Sequence, residues 1–337
     1  MDYKLLLAKL MSRRDLTADE SAEAIDAILG GRLSEVQIAA FLAAMSTKGE
    51  TVEELAGAAR AMRRRAIRVQ PAGQTVLDTC GTGGDNSGTF NVSTATAFVV
   101  AGAGVAVAKH GNRSVSSRCG SADVLESLGV KIDAEPEIME QALNGVGIAF
   151  LFAPRYHSAM RHAMPVRKAL GVRTIFNLLG PLANPAGATC QLLGVYASEL
   201  TEMFANALRL LGTRRAFVVH GHDGLDEITV CDATRVSELD NGVIKTYDLA
   251  PERYFGERAA AAGVAGGDVP ANAAILTAVL AGEPGARRHM VLLNAAAALV
   301  AANRAPDIAA GLELAAQAID SGAAAGKLQA LVTASKE

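Results

Sequence analysis

Residues 75–108 read "TVLDTCGTGGDNSGTFNVSTATAFVVAGAGVAVA", and the fold is decided there. "TVLDTC" (75–80) is a short apolar run with strand character. "STATAFVVAGAG" (93–104) is an apolar helix stopped by glycines, and "VAVA" (105–108) is a second strand. Strand, loop, helix, strand makes a βαβ unit, which implies parallel pairing. The loop between them, Gly81 to Thr94, holds four glycines with hydroxyl side chains among them. A plain turn needs one or two glycines. This loop leaves the C-terminal end of a strand and enters a helix, which is where parallel α/β sheets bind ligands. Bare backbone and a helix N-terminus present free N–H groups to an anion, so the loop predicts a phosphate site. It is not a P-loop, since no GK[ST] follows, and "GTGGDNSG" lacks the GxGxxG spacing of a dinucleotide fingerprint. Asp85 beside a phosphate predicts a sugar hydroxyl or a metal ion.

The pattern continues on both sides. Upstream, "TADE" from Thr17, "SEVQ" from Ser34 and "TVEE" from Thr51 are three capping boxes, and they predict a helical N-terminal seventy residues. Gly30 and Gly31 stop the first of these helices. Arg63 to Arg65 close the third and read as a solvated last turn favoured by the helix dipole. Downstream, strand-like runs recur at 148–153, 190–196 and 216–221, with helical runs at 137–144 and 198–211 between them. The segment between "LFAP" and "CQLLGV" reads as two short helices without a strand, and the last seventy residues as Ala-rich helices. The expected fold is therefore α/β, a mostly parallel central sheet flanked by helices, with a smaller all-helical domain.

Composition agrees. The 337 residues are half hydrophobic but only 4% aromatic, with no Trp, which suits helices packed on a sheet. A net charge of -3 gives no support to a nucleic-acid partner. No run approaches the ~20 apolar residues of a membrane span, and "MDYKLLLAKLM" reads as an amphipathic helix, not a signal peptide. Cys80, Cys119, Cys190 and Cys231 form no CxxC pair, so a reduced, cytoplasmic chain is the simplest expectation. The sequons at Asn91 and Asn112 read as accidental.

Three further stretches carry chemistry. "KHGNRSVSSRCGSADVLESLG" (109–129) follows the second strand and packs Lys109, His110, Arg113 and Arg118 among Ser114, Ser116 and Ser117, a pattern that suits pyrophosphate. Ser121 is expected to cap the helix that ends at Gly129. "HGHDGLDE" (220–227) sets Asp226 and Glu227 side by side after another strand. Adjacent carboxylates facing a phosphate pocket suit Mg²⁺ bridging to phosphate oxygens, whereas His220 and His222 are poor ligands for so hard an ion. "MPVRKALGVRTIFNLLGPLANP" (164–185) offers Arg167 for a second, anionic substrate.

Together these stretches resemble the anthranilate phosphoribosyltransferase family. The likeness runs nearly end to end, through "GTGGD", "NVST", "KHGNRSVSS", "GSADVLE", "NLLGPLANP" and "DGLDE". The glycine loop and "KHGN…SS…GSAD" are also similar to pyrimidine nucleoside phosphorylases. "NLLGPLANP" and the acidic pair discriminate between the two families. The resemblance implies a small helical domain from residues 1–70 plus roughly 155–183, and a large α/β domain from 71–154 and 184–337. It implies homodimers, and transfer of the phosphoribosyl group of 5-phosphoribosyl 1-pyrophosphate (PRPP) to anthranilate in tryptophan biosynthesis. For PRPP it implies Gly81, Gly84, Asp85, Thr89, Asn91, Val92, Ser93 and Thr94, then Lys109, His110, Gly111, Asn112, Arg113, Ser114, Val115, Ser116, Ser117 and Ser121. For anthranilate it implies Gly81, Asn112 and Arg167, with His110 along the aromatic's path. For Mg²⁺ it implies Ser93, Asp226 and Glu227. Cys119 stands where Ser is frequent in the family, and Ser158 follows His157 where Pro is frequent. The rival readings are a pyrimidine nucleoside phosphorylase, or a non-catalytic relative binding a phosphosugar or nucleic acid. The chemistry implied is displacement of pyrophosphate at ribose C1 by a neutral amine, which needs positioning and charge stabilisation more than a strong base. Closure of the small domain over the large one would exclude water.

Overall fold

The N-terminal helices begin where the sequence places their caps. In this computed structural model, which describes residues 2–73, 75–85, 87–114 and 118–337, α1 (Tyr3–Met11) opens on Asp2, whose carboxylate accepts the Lys4 and Leu5 N–H groups. Helices α2 (Ala18–Leu29), α3 (Glu35–Lys48) and α4 (Val52–Arg65) open on Thr17, Ser34 and Thr51. Each closes a reciprocal box with Glu20, Gln37 or Glu54. Glu54 is buried and also accepts the Leu16 N–H and an ion pair from Lys48 at 2.9 Å. The third cap thus also fastens α4 to the loop ahead of α2. The end of α4 departs from the solvated turn expected of it at Arg63 alone, since Arg64 and Arg65 are exposed. Arg63 is largely buried and donates through Nε to the Leu182 carbonyl at 2.6 Å, and burial lowers its pKa to about 10.

Next comes the βαβ unit, β1 (Leu77–Gly81), α5 (Val92–Gly102) and β2 (Val107–Gly111). The second strand starts two residues later than the apolar run "VAVA" suggests. Helices α6 (Ser121–Ser127) and α7 (Pro136–Gly145) lead to β3 (Ile148–Phe152). The chain then leaves the sheet. Instead of two short helices, this excursion holds α8 (Ala153–Tyr156), α9 (Met164–Leu170), α10 (Ile175–Leu179) and two 3₁₀ turns. It returns as β4 (Cys190–Gly194), α11 (Leu200–Leu210) and β5 (Arg215–Gly221).

A hairpin, β6 (Thr234–Asp240) and β7 (Val243–Leu249), follows, which the sequence reading does not anticipate. Its turn is Asn241–Gly242, both with positive φ (47° and 89°), a two-residue turn that matches the twist of antiparallel strands. Helices α12 (Glu252–Phe255), α13 (Val269–Leu280), α14 (Ala286–Ala301), α15 (Ile308–Asp320) and α16 (Ala323–Ala334) complete the chain. No helix among the described residues is long and apolar enough to cross a membrane.

The seven strands are ordered β3-β2-β1-β4-β5-β6-β7, parallel through β5 and antiparallel beyond. The period of two along each strand sorts side chains into two cores. Leu192, Phe217, Val219 and Val236 pack under α5 and the C-terminal helices. Leu193, Val218, Ala216 and Leu239 face α11 and the N-terminal helices, in an apolar cluster that also takes in α9 and α10. The C-terminal ends of β1, β2, β4 and β5 lie along one edge, and the loops leaving them meet there.

Candidate active site

The glycine loop leaves β1 and is gripped from several sides. The Gly83 N–H donates to Asp226 Oδ2 at 2.9 Å, and the Ser93 N–H donates to Glu227 Oε1 at 3.1 Å. The loop after β5 therefore delivers its acidic pair onto the glycine loop and the first turn of α5. Arg173 reaches over from the excursion to donate to the Gly84 carbonyl at 2.8 Å, its guanidinium 4.0 Å above the Tyr196 ring. Gly84 has φ +79°, a left-handed conformation that a side chain would strain.

Lys109, in the middle of β2, is buried with its ammonium turned inward. It donates to the Thr79 carbonyl and to Ser93 Oγ at 3.2 Å. Burial lowers its pKa, against the pull of Asp78 and the acidic pair. Next to it, burial and then the Asp85 charge push the Asp226 carboxyl up to about 7. Glu227 is likewise driven well above the carboxylate range, by burial and then by Asp226. Three carboxylates thus crowd around one ammonium. That excess negative charge fits a hard divalent cation, which takes one or two protein carboxylates and completes its shell with water and substrate phosphate.

His110 is a structural and not a basic element. Its backbone N–H donates to Asp78 Oδ1 at 3.0 Å and its Nδ1 sits 3.1 Å from the Gly180 carbonyl. The His157 ring lies 5.1 Å away, centroid to centroid. Burial depresses both imidazoles, to about 3 and about 4, so both are neutral at physiological pH. Asp78 itself is fully buried and pushed upward by desolvation, while Asn184 donates to it at 2.8 Å and to the Ala108 carbonyl at 2.8 Å. The Asn of "PLANP" therefore bolts the excursion onto β1 and β2.

The remaining expected site residues divide. Thr89 and Asp85 belong to the glycine loop, where Asp85 Oδ1 accepts the Ser87 N–H. Asn91, Val92, Ser93 and Thr94 form the start of α5, Gly111 ends β2 and Asn112 follows it. Ser121 does not cap α6. It is the first helical residue and donates to the Asn112 carbonyl, while Asp123 accepts the Gly120 and Ser114 N–H groups. Arg113 is spent on Asp123 and Glu126, away from the glycine loop. Val115, Ser116 and Ser117 lie outside the described residues. Arg167 stands apart on α9, where it lies 5.6 Å over the Phe176 ring and contacts the Met164 sulfur. It is half-buried and has no carboxylate partner among the described residues, and burial lowers its pKa. His220 and His222 are occupied elsewhere, on the Val195 carbonyl and on Asp248. Sequence reasoning misses Arg173, Asp78 and Asn184. The "RT" and "ANP" of the fourth stretch are visible, but nothing local to them says which distant atoms they meet.

Comparison with known proteins follows the same lines. Residues 73–325 match the glycosyl transferase family a/b domain, and residues 4–66 match the helical bundle domain of that family. The chain is 60% identical over 335 residues to anthranilate phosphoribosyltransferase of Desulfatibacillum aliphaticivorans and 61% identical over 335 residues to that of Desulfosudis oleivorans, each alignment covering 99% of both chains. Among solved structures it is similar to anthranilate phosphoribosyltransferase of Thermus thermophilus (TM-score 0.94, 43% identity, 98% and 99% of the two chains). It is also similar to the Saccharomyces cerevisiae enzyme in complex with PRPP and Mg (TM-score 0.90, 29% identity, 99% and 98%).

Proposed function

The chain belongs to the anthranilate phosphoribosyltransferases of the glycosyl transferase family, and we propose on that footing that it transfers the 5-phosphoribosyl group of PRPP to the amine of anthranilate, giving N-(5-phosphoribosyl)anthranilate and pyrophosphate in tryptophan biosynthesis. One observation carries the reading. The backbone amides of the glycine loop and of α5 converge with Asp226 and Glu227 at the sheet edge, each amide already on a carboxylate.

In this reading the glycine loop, the start of α5 and Lys109 hold the diphosphate and ribose. Asp226 and Glu227, with Ser93, would hold Mg²⁺, which when bound stabilises negative charge growing on the departing pyrophosphate. Arg167, a half-buried guanidinium without an acid among the described residues, would pair the anthranilate carboxylate. The attacking amine is neutral at pH 7, and the two buried imidazoles are neutral as well, so the residues of the site orient and exclude water instead of removing a proton beforehand. Residues 1–70 with 155–183 act as the smaller helical domain, and Arg173 and Gly180 are its touch points on the strand-end loops. The protein works as a cytoplasmic homodimer. Leu5 (68% exposed), Val36 (80% exposed), Met164 and Val172 are exposed apolar side chains of the helical domain available to a second copy.

The test is anthranilate fluorescence followed with PRPP, with and without Mg²⁺. Metal-dependent loss of anthranilate and release of pyrophosphate support the assignment. An inert protein, or one that instead splits thymidine with inorganic phosphate, refutes it.

A further inference from the structure

Asn91 ends the glycine loop at the N-cap of α5. Asn is among the best N-capping residues, because its side-chain oxygen can take the second or third helical N–H. Here it makes no such bond. Its amide is turned aside onto residue 119: Nδ2 donates to the Cys119 carbonyl at 3.2 Å, and Oδ1 lies 3.4 Å from the Cys119 thiol as acceptor. Cys119 is buried. Asn272 of α13, 2% exposed, in turn hydrogen-bonds the Cys119 sulfur through its side chain and accepts the Gly267 N–H on Oδ1 at 2.9 Å.

Gly267 belongs to a strap, residues 265–267, that closes back on the glycine loop. Ala265 forms an isolated antiparallel bridge with Thr89, and the Gly266 N–H donates to the Gly88 carbonyl at 2.9 Å. Arg287 of α14 holds the strap from behind, donating to the Ala265 carbonyl at 2.8 Å. The fit is close. A Cβ on Gly266 would stand 2.6 Å from the Thr89 oxygen and 2.7 Å from the Phe90 nitrogen.

We propose that Asn272, acting through Cys119, and the Ala265–Gly267 strap are positioning residues for the phosphate-bearing substrate. They hold the glycine loop from outside and keep the Asn91 amide off the N-terminus of α5, so that the Thr94 N–H, left over once Val92 bonds the Phe90 carbonyl and Ser93 bonds Glu227, stays open to an anion. The donors and acceptors run in one direction along the chain Gly267, Asn272, Cys119, Asn91, so every member is satisfied without an Asn91 side-chain cap on α5. Should Asn272 be lost, the thiol loses its donor, the Asn91 side chain is released, and capping of α5 competes with the anion. The inference rests on the reading of this loop as the PRPP site.

The effect follows from the size of one cap. An N-cap bond is worth about 1 kcal/mol, which is about fivefold in an equilibrium constant. Asn272→Ala and Cys119→Ala are each expected to raise the KM for PRPP about fivefold. They leave kcat and the KM for anthranilate near those of the parent; Cys119→Ala also keeps the melting temperature, whereas Asn272→Ala melts lower because the Gly267 N–H loses its acceptor. Cys119→Ser, whose hydroxyl donates and accepts in the same places, restores the parental KM. Calorimetric binding of inorganic pyrophosphate with Mg²⁺ reads the same difference without turnover. A parental KM for PRPP in both alanine variants overturns the proposal. Losses spread equally over both substrates, or a serine variant as impaired as the alanine, also overturn it, since they mark a merely structural role. If the parent protein itself binds neither pyrophosphate nor PRPP, the reading of the site fails first, and that result is distinct from the others.

Discussion

Asp226→Asn should make the empty protein more stable at alkaline pH while impairing it as an enzyme. Asp226 is half-buried among Asp85, Glu227 and the Gly83 amide, and its carboxyl is pushed from the usual 3.8 to about 7, by burial first and by Asp85 second. A raised carboxylate pKa means that the native state holds a proton the unfolded chain has released. Between about pH 4 and pH 7, stability therefore falls as pH rises, and above pH 7 the full cost of the buried charge is present. Three pKa units correspond to a ceiling of about 4 kcal/mol. Partial exposure and the retained Gly83 bond reduce this to about 2 kcal/mol. For a chain of this length that is a gain of about 3–5 °C at pH 8 and about a third of that at pH 5. The assay is differential scanning calorimetry of ligand-free parent and variant at both pH values, paired with activity at graded Mg²⁺. The expected result is a flattened pH dependence of melting, a raised Mg²⁺ requirement and a raised KM for PRPP. A variant that melts with the parent at pH 8, or below it at both pH values, would show that the acidic pair carries no stored repulsion.

Three other outcomes are expected. Arg167→Ala loses a charge-assisted bond worth about 1.5–3 kcal/mol, so the KM for anthranilate should rise about 10- to 100-fold while that for PRPP stays within about twofold. Steady-state kinetics in both substrates checks this, and equal losses would point to misfolding instead. Gly84→Ala forces a side chain into φ +79°, which costs about 1–2 kcal/mol and should raise the KM for PRPP about fivefold or more with little change for anthranilate. Asn294→Ala should lower stability by about 2–3 kcal/mol in urea unfolding, because the buried Asn294 amide serves both the N–H and the carbonyl of Ile228, directly behind the acidic pair.

Where a contact spans three or four residues, the sequence shows it. The capping boxes at Thr17, Ser34 and Thr51 form as written, since each is a bond between fixed offsets. The glycine loop, its strand and its helix are legible for the same reason. The hairpin at 234–249 is legible in principle from Asn241–Gly242, but its outer strand is mostly exposed and lacks the apolar run that marks the inner strands. Ser121 misleads because a hydroxyl ahead of a helix is a good cap in general, yet Asp123 two residues on already takes the Gly120 and Ser114 amides. Arg63, Arg173 and Asn184 escape a local reading because the atoms they hold lie between 76 and 119 residues away in the chain. Asn272 escapes it because it acts through a third residue, Cys119. Local pattern cannot encode such meetings, which the topology of the sheet creates.

Gly81 shows why a residue's reason can differ from the one its motif suggests. It heads the glycine loop and invites a ligand reading, but the register pairs it with Gly194 across β1 and β4. A Cβ on Gly81 would stand 2.5 Å from Asp226 Oδ2, and a Cβ on Gly194 would overlap the Asp226 carbonyl. The paired glycines form a slot at the sheet edge into which the acidic loop drops. Without the slot, Asp226 and Glu227 would be lifted away from the Gly83 and Ser93 amides. Preorganised charge works over tenths of an ångström, and its benefit falls quickly with displacement. Two absent side chains on neighbouring strands therefore bring an acidic pair more than 130 residues downstream against the glycine loop, and packing and charge placement meet at the same backbone atoms.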